Sequence, residues 1–311
     1  MSRDAFSHDP RDTRDISPRN SARRPRSTPP DTRDPRNLAT DNPGRSEPSH
    51  SRDQVSVRDE RNDSPRAYYV RDRAYLLRNS EIHSLTEVGK FRVIAAPDLA
   101  KHAYDGDRDR MQSDVRRLVR AGLLTDKTIP ISRKKTLRVL TLTKAGHRLL
   151  KGTNRLPEDQ VVYHGLLKAR EARHDADLYR LYQKEAARIQ RAGGRPLRVV
   201  LDYELKRNLN RDLALLGPEK DNPNRKNEIA QKHGLQLVNG KIPVPDLRLE
   251  YETADLEVRF VDLELATRDY RPRSLAEKAA AGFSLYSRPE DSSRLRRILD
   301  ERELTAGILS L

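Results

Sequence analysis

Apolar residues are sparse before Tyr68 and regular after it. Residues 1–65 are Arg, Asp, Ser, Pro and Asn with scattered apolar positions, as in RDTRDISPRN. Such a stretch buries too little surface to offset its ordering entropy, so it reads as a disordered tail. Its RD and DPR pairs make it closer to a polyampholyte than to a basic arm. From AYYVRDRAYLLRNSEIHSL onward the apolar positions recur regularly. Ser84 to Glu87 has capping-box spacing and predicts a helix reaching about Phe91. Pro97 suits the first position of a second helix, which Asp105-Gly106-Asp107 ends. In DRDRMQSDVRRLVRAGLL, Met111, Val115, Leu118 and Gly122 fall on one helical stripe. KTIPISRKKTLRVLTLT reads as two strands around the basic turn Ser132 to Lys135, and TKAGHRLLKG as a short helix.

A second region starts near Pro157. VVYHGLLKAREARHDADLYRLYQKEAARIQRAGG predicts a long helix, broken near Gly165 and stopped at Gly193-Gly194. Leu197 to Leu201 reads as a buried strand and Glu204 to Leu216 as a helix. GPEKDNPNRKNE reads as a loop and NEIAQKHG as a short helix. PDLRLEYETADLEVRFVDLELA reads as two strands around a turn. SLAEKAAAGFSLYS and PEDSSRLRRILDERE then read as helices, and AGILSL as a closing strand.

Charge narrows the function. The 311 residues carry a net charge of +15, which favours polyanions, chiefly nucleic acid. No cysteine is present, which excludes disulfides, thiol nucleophiles and zinc–thiolate fingers. No apolar run approaches the roughly 20 residues that span a bilayer, and MSRDAFSHDPRD has no apolar signal core. The expectation is a cytoplasmic protein with no membrane partner. No Walker-type loop suggests ATP hydrolysis.

Three helices followed by a basic hairpin is the winged helix-turn-helix order, and RRLVRAGLL with LTLTKAGHRLL resembles many winged-helix domains. Over residues 66–152 that resemblance implies a third helix in the major groove and a hairpin wing. Arg116, Arg117 and Arg120 then suit phosphates or guanine edges, and Gln112 and Ser113 suit bases. Arg133, Lys134 and Lys135 suit phosphates or the minor groove. The bland alternative is a solvated basic face used for protein contacts.

Residues 157–311 pose a different question. Asp246, Glu250, Asp262 and Glu264 fall on alternate strand positions. A solvated strand face would look the same. The order helix, strand, strand, strand, helix, strand resembles the core of the PD-(D/E)xK nuclease superfamily. Pro245-Asp246 matches its first motif, and Glu264 matches the acid of its second. The resemblance implies carboxylates holding Mg²⁺, which activates the attacking water. The motif lysine is replaced by Ala266, and Lys278 in LAEKAAAG is the candidate for a migrated lysine. Glu204 is a candidate third metal ligand beside Asp246 and Glu264. His174 and Asp175 read as helix-face or capping residues, with a place beside the acids as the alternative.

The fold class expected is therefore two-domain α/β (α+β). It comprises a disordered N-terminal tail, a winged helix-turn-helix and a PD-(D/E)xK-like αβββαβ core. VLDYELKR, PDLRLE, FVDLELAT and EKAAAGFSLY after a winged helix resemble the replication-relaxation family of plasmids and mobile elements. The resemblance implies binding of double-stranded DNA in mobile-element replication, with a non-catalytic nuclease-like domain and no cofactor needed for binding. Two alternatives stand beside it. One is a Mg²⁺-dependent endonuclease using Asp246, Glu264 and Lys278. The other is a transcriptional regulator whose C-terminal domain forms a homodimer.

Overall fold

The structure, a computed structural model, describes residues 63–132, 134–165, 169–301 and 307–311. The tail expectation over residues 1–62, and Arg133, lie outside the described residues. Asp63 lies within them and is held, its carboxylate accepting from the Ser80 amide at 3.3 Å. Among the described residues the chain is a mixed α/β protein with nine α-helices and ten strands.

An antiparallel hairpin that the apolar pattern did not announce comes first, β1 (Arg66–Val70) with β2 (Arg73–Leu77). Helix α1 (Asn79–Lys90) follows, and it corrects the capping-box expectation. The Glu81 carboxylate accepts from the Arg78 amide at 2.8 Å, so the helix starts earlier than Ser84. Ser84 is instead buried in the helix interior, sharing a 2.5 Å hydrogen bond with Tyr104 Oη. Arginine is a poor N-cap, which is why this start carries little signal.

Next come β3 (Ile94–Ala95), α2 (Ala96–Ala103) and α3 (Arg108–Arg120). Asp107 caps α3 by accepting from the Arg110 amide at 2.9 Å. Strands β4 (Leu124–Ser132) and β5 (Lys135–Leu142) form the expected basic hairpin. With β3 they make an antiparallel sheet in the order β3-β5-β4. Helix α4 (Lys144–Lys151) closes against the residue before β4 at Gly146, where a Cβ would stand 2.2 Å from the Leu123 carbonyl oxygen.

The long helix α5 (Ala169–Arg191) leads into β6 (Arg195–Leu201) and α6 (Asp202–Ala214). GPEKDNPNRKNE is more regular than a loop. Gly217–Asp221 is a 3-10 turn, and α7 (Pro223–Lys232) begins where the Asn222 side chain accepts from the Asn224 amide. Strands β7 (Leu247–Glu252) and β8 (Val258–Ala266) pair antiparallel. Helix α8 (Pro272–Ala280) is shorter than expected, because Gly282 takes a left-handed φ of 80° and SLYS becomes strand β9 (Ser284–Ser287). Helix α9 (Pro289–Asp300) and β10 (Ile308–Ser310) complete the fold.

The second sheet keeps chain order, β6-β7-β8-β9-β10 from edge to edge. Its first three strands run antiparallel, and β8, β9 and β10 run parallel. Alternation sorts its side chains. Leu247, Leu249, Leu263 and Leu265 pack with Leu178, Tyr179 and Tyr182 of α5. Ala266 and Leu285 pack instead with Ile229, Leu275 and Leu295 of α7, α8 and α9. The sheet is thus a middle layer, and its strand ends meet α5 on one side and α8 on the other.

Candidate functional site

Two groups of residues can be built up from these elements. The first is the exposed side of α3. Met111, Val115 and Leu118 are buried, so the opposite stripe of Asp109, Ser113, Arg116 and Arg120 is exposed. The five α3 candidates do not share one role. Gln112 Oε1 accepts from Arg138 of β5, whose guanidinium also grips Asp126 at 2.9 Å. Arg117 Nε lies 2.8 Å from Glu81, which is 0% exposed. Burial pushes the Glu81 carboxyl upward, with the Arg78 amide and the Arg117 charge opposing it. Gln112 and Arg117 therefore hold α3 in place, while Ser113, Arg116 and Arg120 face solvent. Lys134 and Lys135 are exposed at the β4–β5 tip.

The second group is the acid cluster at the ends of β7 and β8. Lys278 Nζ reaches Glu264 at 2.9 Å and donates to the Val244 carbonyl at 2.6 Å. The Asp246 amide donates to Glu264 Oε2 at 3.1 Å, and Asp246 Oδ2 accepts from the Leu265 amide at 2.9 Å. Asp246, Glu264 and Lys278 therefore converge. His174 of α5 joins them, its Nε2 3.3 Å from Asp246 Oδ2, and so does Tyr270, which donates to Glu264 Oε1.

The electrostatics follow from burial. Glu264 is 0% exposed. Burial and then the Asp246 charge raise its pKa to about 7 against the pull of Lys278. Burial alone would lower the His174 pKa. Hydrogen bonds and charge from Asp175 and Asp246 outweigh that and raise it to about 10. Asp246 shows the reverse balance: burial raises it, but His174 and the Leu265 amide bring it below the ordinary value.

No family model, curated protein or solved structure matches the chain. The reading of the site thus rests on its own geometry.

That geometry separates the remaining acids. Asp262 is bound by Arg248 at 2.7 and 2.8 Å, a bidentate pair inside the α7 side of the sheet. Glu204 is buried in the first turn of α6 and is held by Arg198. Its Oε2 is buried and has no hydrogen-bond partner among the described residues. It does not join Asp246 and Glu264. Among the described residues no group of three or more His, Asp or Glu side chains is placed to hold a metal ion. Both Glu264 oxygens already have protein donors, so the arrangement does not fit Mg²⁺ as it stands.

Tyr270 carries no signal in the sequence. It sits in the short loop TRDYRPR, where its amide donates to the Thr267 carbonyl at 3.0 Å. That turn sends the ring back to Glu264. It lies four residues beyond the end of β8, the strand that carries Glu264. Ala266 is 0% exposed and pairs with Ser287 across β8 and β9, leaving no room there for a motif lysine.

Proposed function

We propose that this chain binds double-stranded DNA through residues 79–151 acting as a winged helix, with a non-catalytic nuclease-like half behind it. The observation that carries the binding reading is the exposed stripe of Ser113, Arg116 and Arg120, bordered by the β4–β5 hairpin with Lys134 and Lys135 at its tip. The order α1, β3, α2, α3, β4, β5 supports it, because it presents a third helix beside a two-stranded wing.

The order α5, β6, β7, β8, α8, β9 supports the nuclease-like reading, with α6 and α7 inserted after β6. Absence of catalysis is supported by Lys278 and Tyr270 saturating Glu264. A Lys ammonium there neutralises the acids, which is the work a divalent cation would do. The convergence of Asp246, Glu264 and Lys278 is the observation that favours the rival reading, a Mg²⁺-dependent endonuclease. The part in plasmid or mobile-element replication rests on the sequence resemblance alone. No helix among the described residues is long and apolar enough to cross a membrane.

One experiment tests both halves. Binding to a mixed-sequence duplex is titrated against salt for the native chain and for Arg116→Ala with Arg120→Ala. The slope of log K against log salt should shrink by about 2, roughly 0.9 per lost phosphate contact. An unchanged slope moves the contact away from α3. In parallel, supercoiled plasmid with Mg²⁺ should stay intact. Cleavage that disappears in Asp246→Ala with Glu264→Ala would establish the enzyme instead.

A further inference from the structure

The sheet β6-β7-β8-β9-β10 has a step along β8. Strand β9 pairs only with Leu263–Ala266. Val258–Asp262 has β7 on one side and no strand on the other among the described residues. The direction of its backbone groups follows from two hydrogen bonds. The Asp202 amide donates to the Asp246 carbonyl at 3.0 Å, so the Asp246 carbonyl faces the β6 side. The Thr253 amide donates to the Glu257 carbonyl at 2.9 Å, inside the β7–β8 hairpin. Antiparallel alternation then turns the backbone groups of Leu247, Leu249 and Tyr251 toward β8, where they meet Leu263, Val261 and Arg259. The amides and carbonyls of Val258 and Phe260 point the other way, out of the sheet's edge.

The opposite edge is treated differently. On β6 the Gln160 side chain accepts from the Val199 amide and donates to the Val199 carbonyl, both at 2.9 Å. Among the described residues no side chain does the same for Val258 or Phe260. No proline or lysine lies between Glu257 and Asp262 to discourage strand pairing. One face of the stretch is apolar. Val258 is 68% exposed, Phe260 46%, and Leu256 at the turn 76%. Leu256 also holds a left-handed φ of 63°, a costly conformation for leucine. None of the three joins a hydrophobic cluster among the described residues. The other face carries Glu257 and Arg259, exposed and paired with each other at 2.6 Å.

We propose that a second copy of this chain docks here, the two β8 edges pairing antiparallel about a two-fold axis at Val258. The pairing does not depend on the DNA-binding reading. Charge and space select the register. An axis at Val258 sets Glu257 of each copy opposite Arg259 of the other, and Leu256 near Phe260 on the apolar face. An axis at Arg259 sets arginine against arginine. An axis at Phe260 drives Glu257 of one copy against Leu263 of the other, where β9 already lies. Only the Val258 register keeps the incoming turn short of β9 and satisfies both charge pairs. The two-fold supplies those charges from a single surface, which an unrelated strand has no reason to match. The contact is small, at the low end of specific interfaces, so the dimer is transient and concentration-dependent.

The test begins with sedimentation velocity of the full chain over a rising concentration series, which should show a monomer–dimer equilibrium. Glu257→Arg and Arg259→Glu should each lose the dimer, because like charges then face across the axis. Mixed together, the two variants should regain it, since each supplies the charge the other lacks. Val258→Cys gives a chain without cysteine a single thiol. In the paired register the two Cα atoms stand about 5.5 Å apart, inside the roughly 4.4–6.8 Å range of a disulfide. Mild oxidation should therefore cross-link Val258→Cys faster than Leu215→Cys, an exposed position outside the sheet. A native chain that stays monomeric throughout the series overturns the proposal. So does a dimer that both charge variants retain, a mixture that fails to regain it, or equal cross-linking at the two cysteine positions.

Discussion

Glu264 shows how much a single position can carry. Its alternation with Asp262 and its place after Pro245-Asp246 are visible in the sequence, and so is Lys278 on the next helix. Of the other two members of the network, Tyr270 is not visible, and His174 is visible only as the alternative to a helix-face role. His174 lies far away in the chain on α5, and only the packing of α5 across β7 and β8 brings it to Asp246. His174 gives the site a pH dependence of definite sign. Its folded pKa, about 10, lies above the ordinary 6.5. Its stabilisation is complete below pH 6.5 and is lost as pH rises through about 10. Glu264 acts in the same direction, with a folded pKa near 7 above the ordinary 4.5. It favours the fold below pH 4.5, and that advantage fades as pH rises through about 7. Urea unfolding of the native chain and of His174→Gln should therefore show a stability gap that narrows between pH 6.5 and about 10. A gap that stays constant over that window would mean the folded imidazole is uncharged.

Helix α3 is the element whose existence the sequence declares most plainly and whose function it blurs. The period of Met111, Val115 and Leu118 gives the buried side. It leaves five polar or basic residues on the other side looking equivalent. They differ because partners from outside the helix claim two of them, Glu81 from α1 and Arg138 from β5. No pattern within α3 contains that information. The difference is measurable. Arg117→Ala leaves the buried Glu81 carboxylate with the Arg78 amide but no cation at 2.8 Å, so it should cost about 1–3 kcal/mol of stability at neutral pH. Arg116→Ala, on the exposed stripe, should change stability by less than about 0.5 kcal/mol. DNA affinity should divide the other way, falling more for Arg116→Ala than for Arg117→Ala once both are compared as folded protein. If Arg117→Ala is neutral in urea but weakens DNA binding, the pairing with Glu81 does not hold in solution. The hairpin β1–β2 is hard to read in the sequence for a related reason. RAYYV and RAYLL alternate, but the turn Arg71-Asp72 lacks the Asn-Gly or Asp-Gly signal that marks a tight hairpin.

At the scale of the whole molecule, the sequence suggests a boundary between residues 152 and 157, where periodic structure gives way to the loop before α5. Packing crosses that boundary. The described residues from Asp63 onward form one compact unit. Helix α5 is its spine. On one side its Tyr179 and Tyr182 reach the sheet leucines of β7 and β8. On the other, Phe91 at the end of α1 meets the Tyr179 ring edge-on at 5.2 Å and the Tyr182 ring at 5.4 Å. Ala172 and Ala176 pack against Val93, Ala95, Ile129 and Val139. Arg180 grips Asp98 of α2 at 2.9 Å, and Gln183 donates to Glu87 of α1 at 3.1 Å. A helix that buries residues toward both sheets couples their stabilities, so the chain should unfold as one cooperative unit. Phe91→Ala removes a fully buried ring at the junction and should cost about 3–5 kcal/mol. Native-state hydrogen exchange reads where that loss falls. The amides of β5 and of β8 should lose protection together, although Phe91 belongs to neither strand. If β5 opens while β8 keeps its native protection, the two sheets fold independently and α5 is only a contact surface between them.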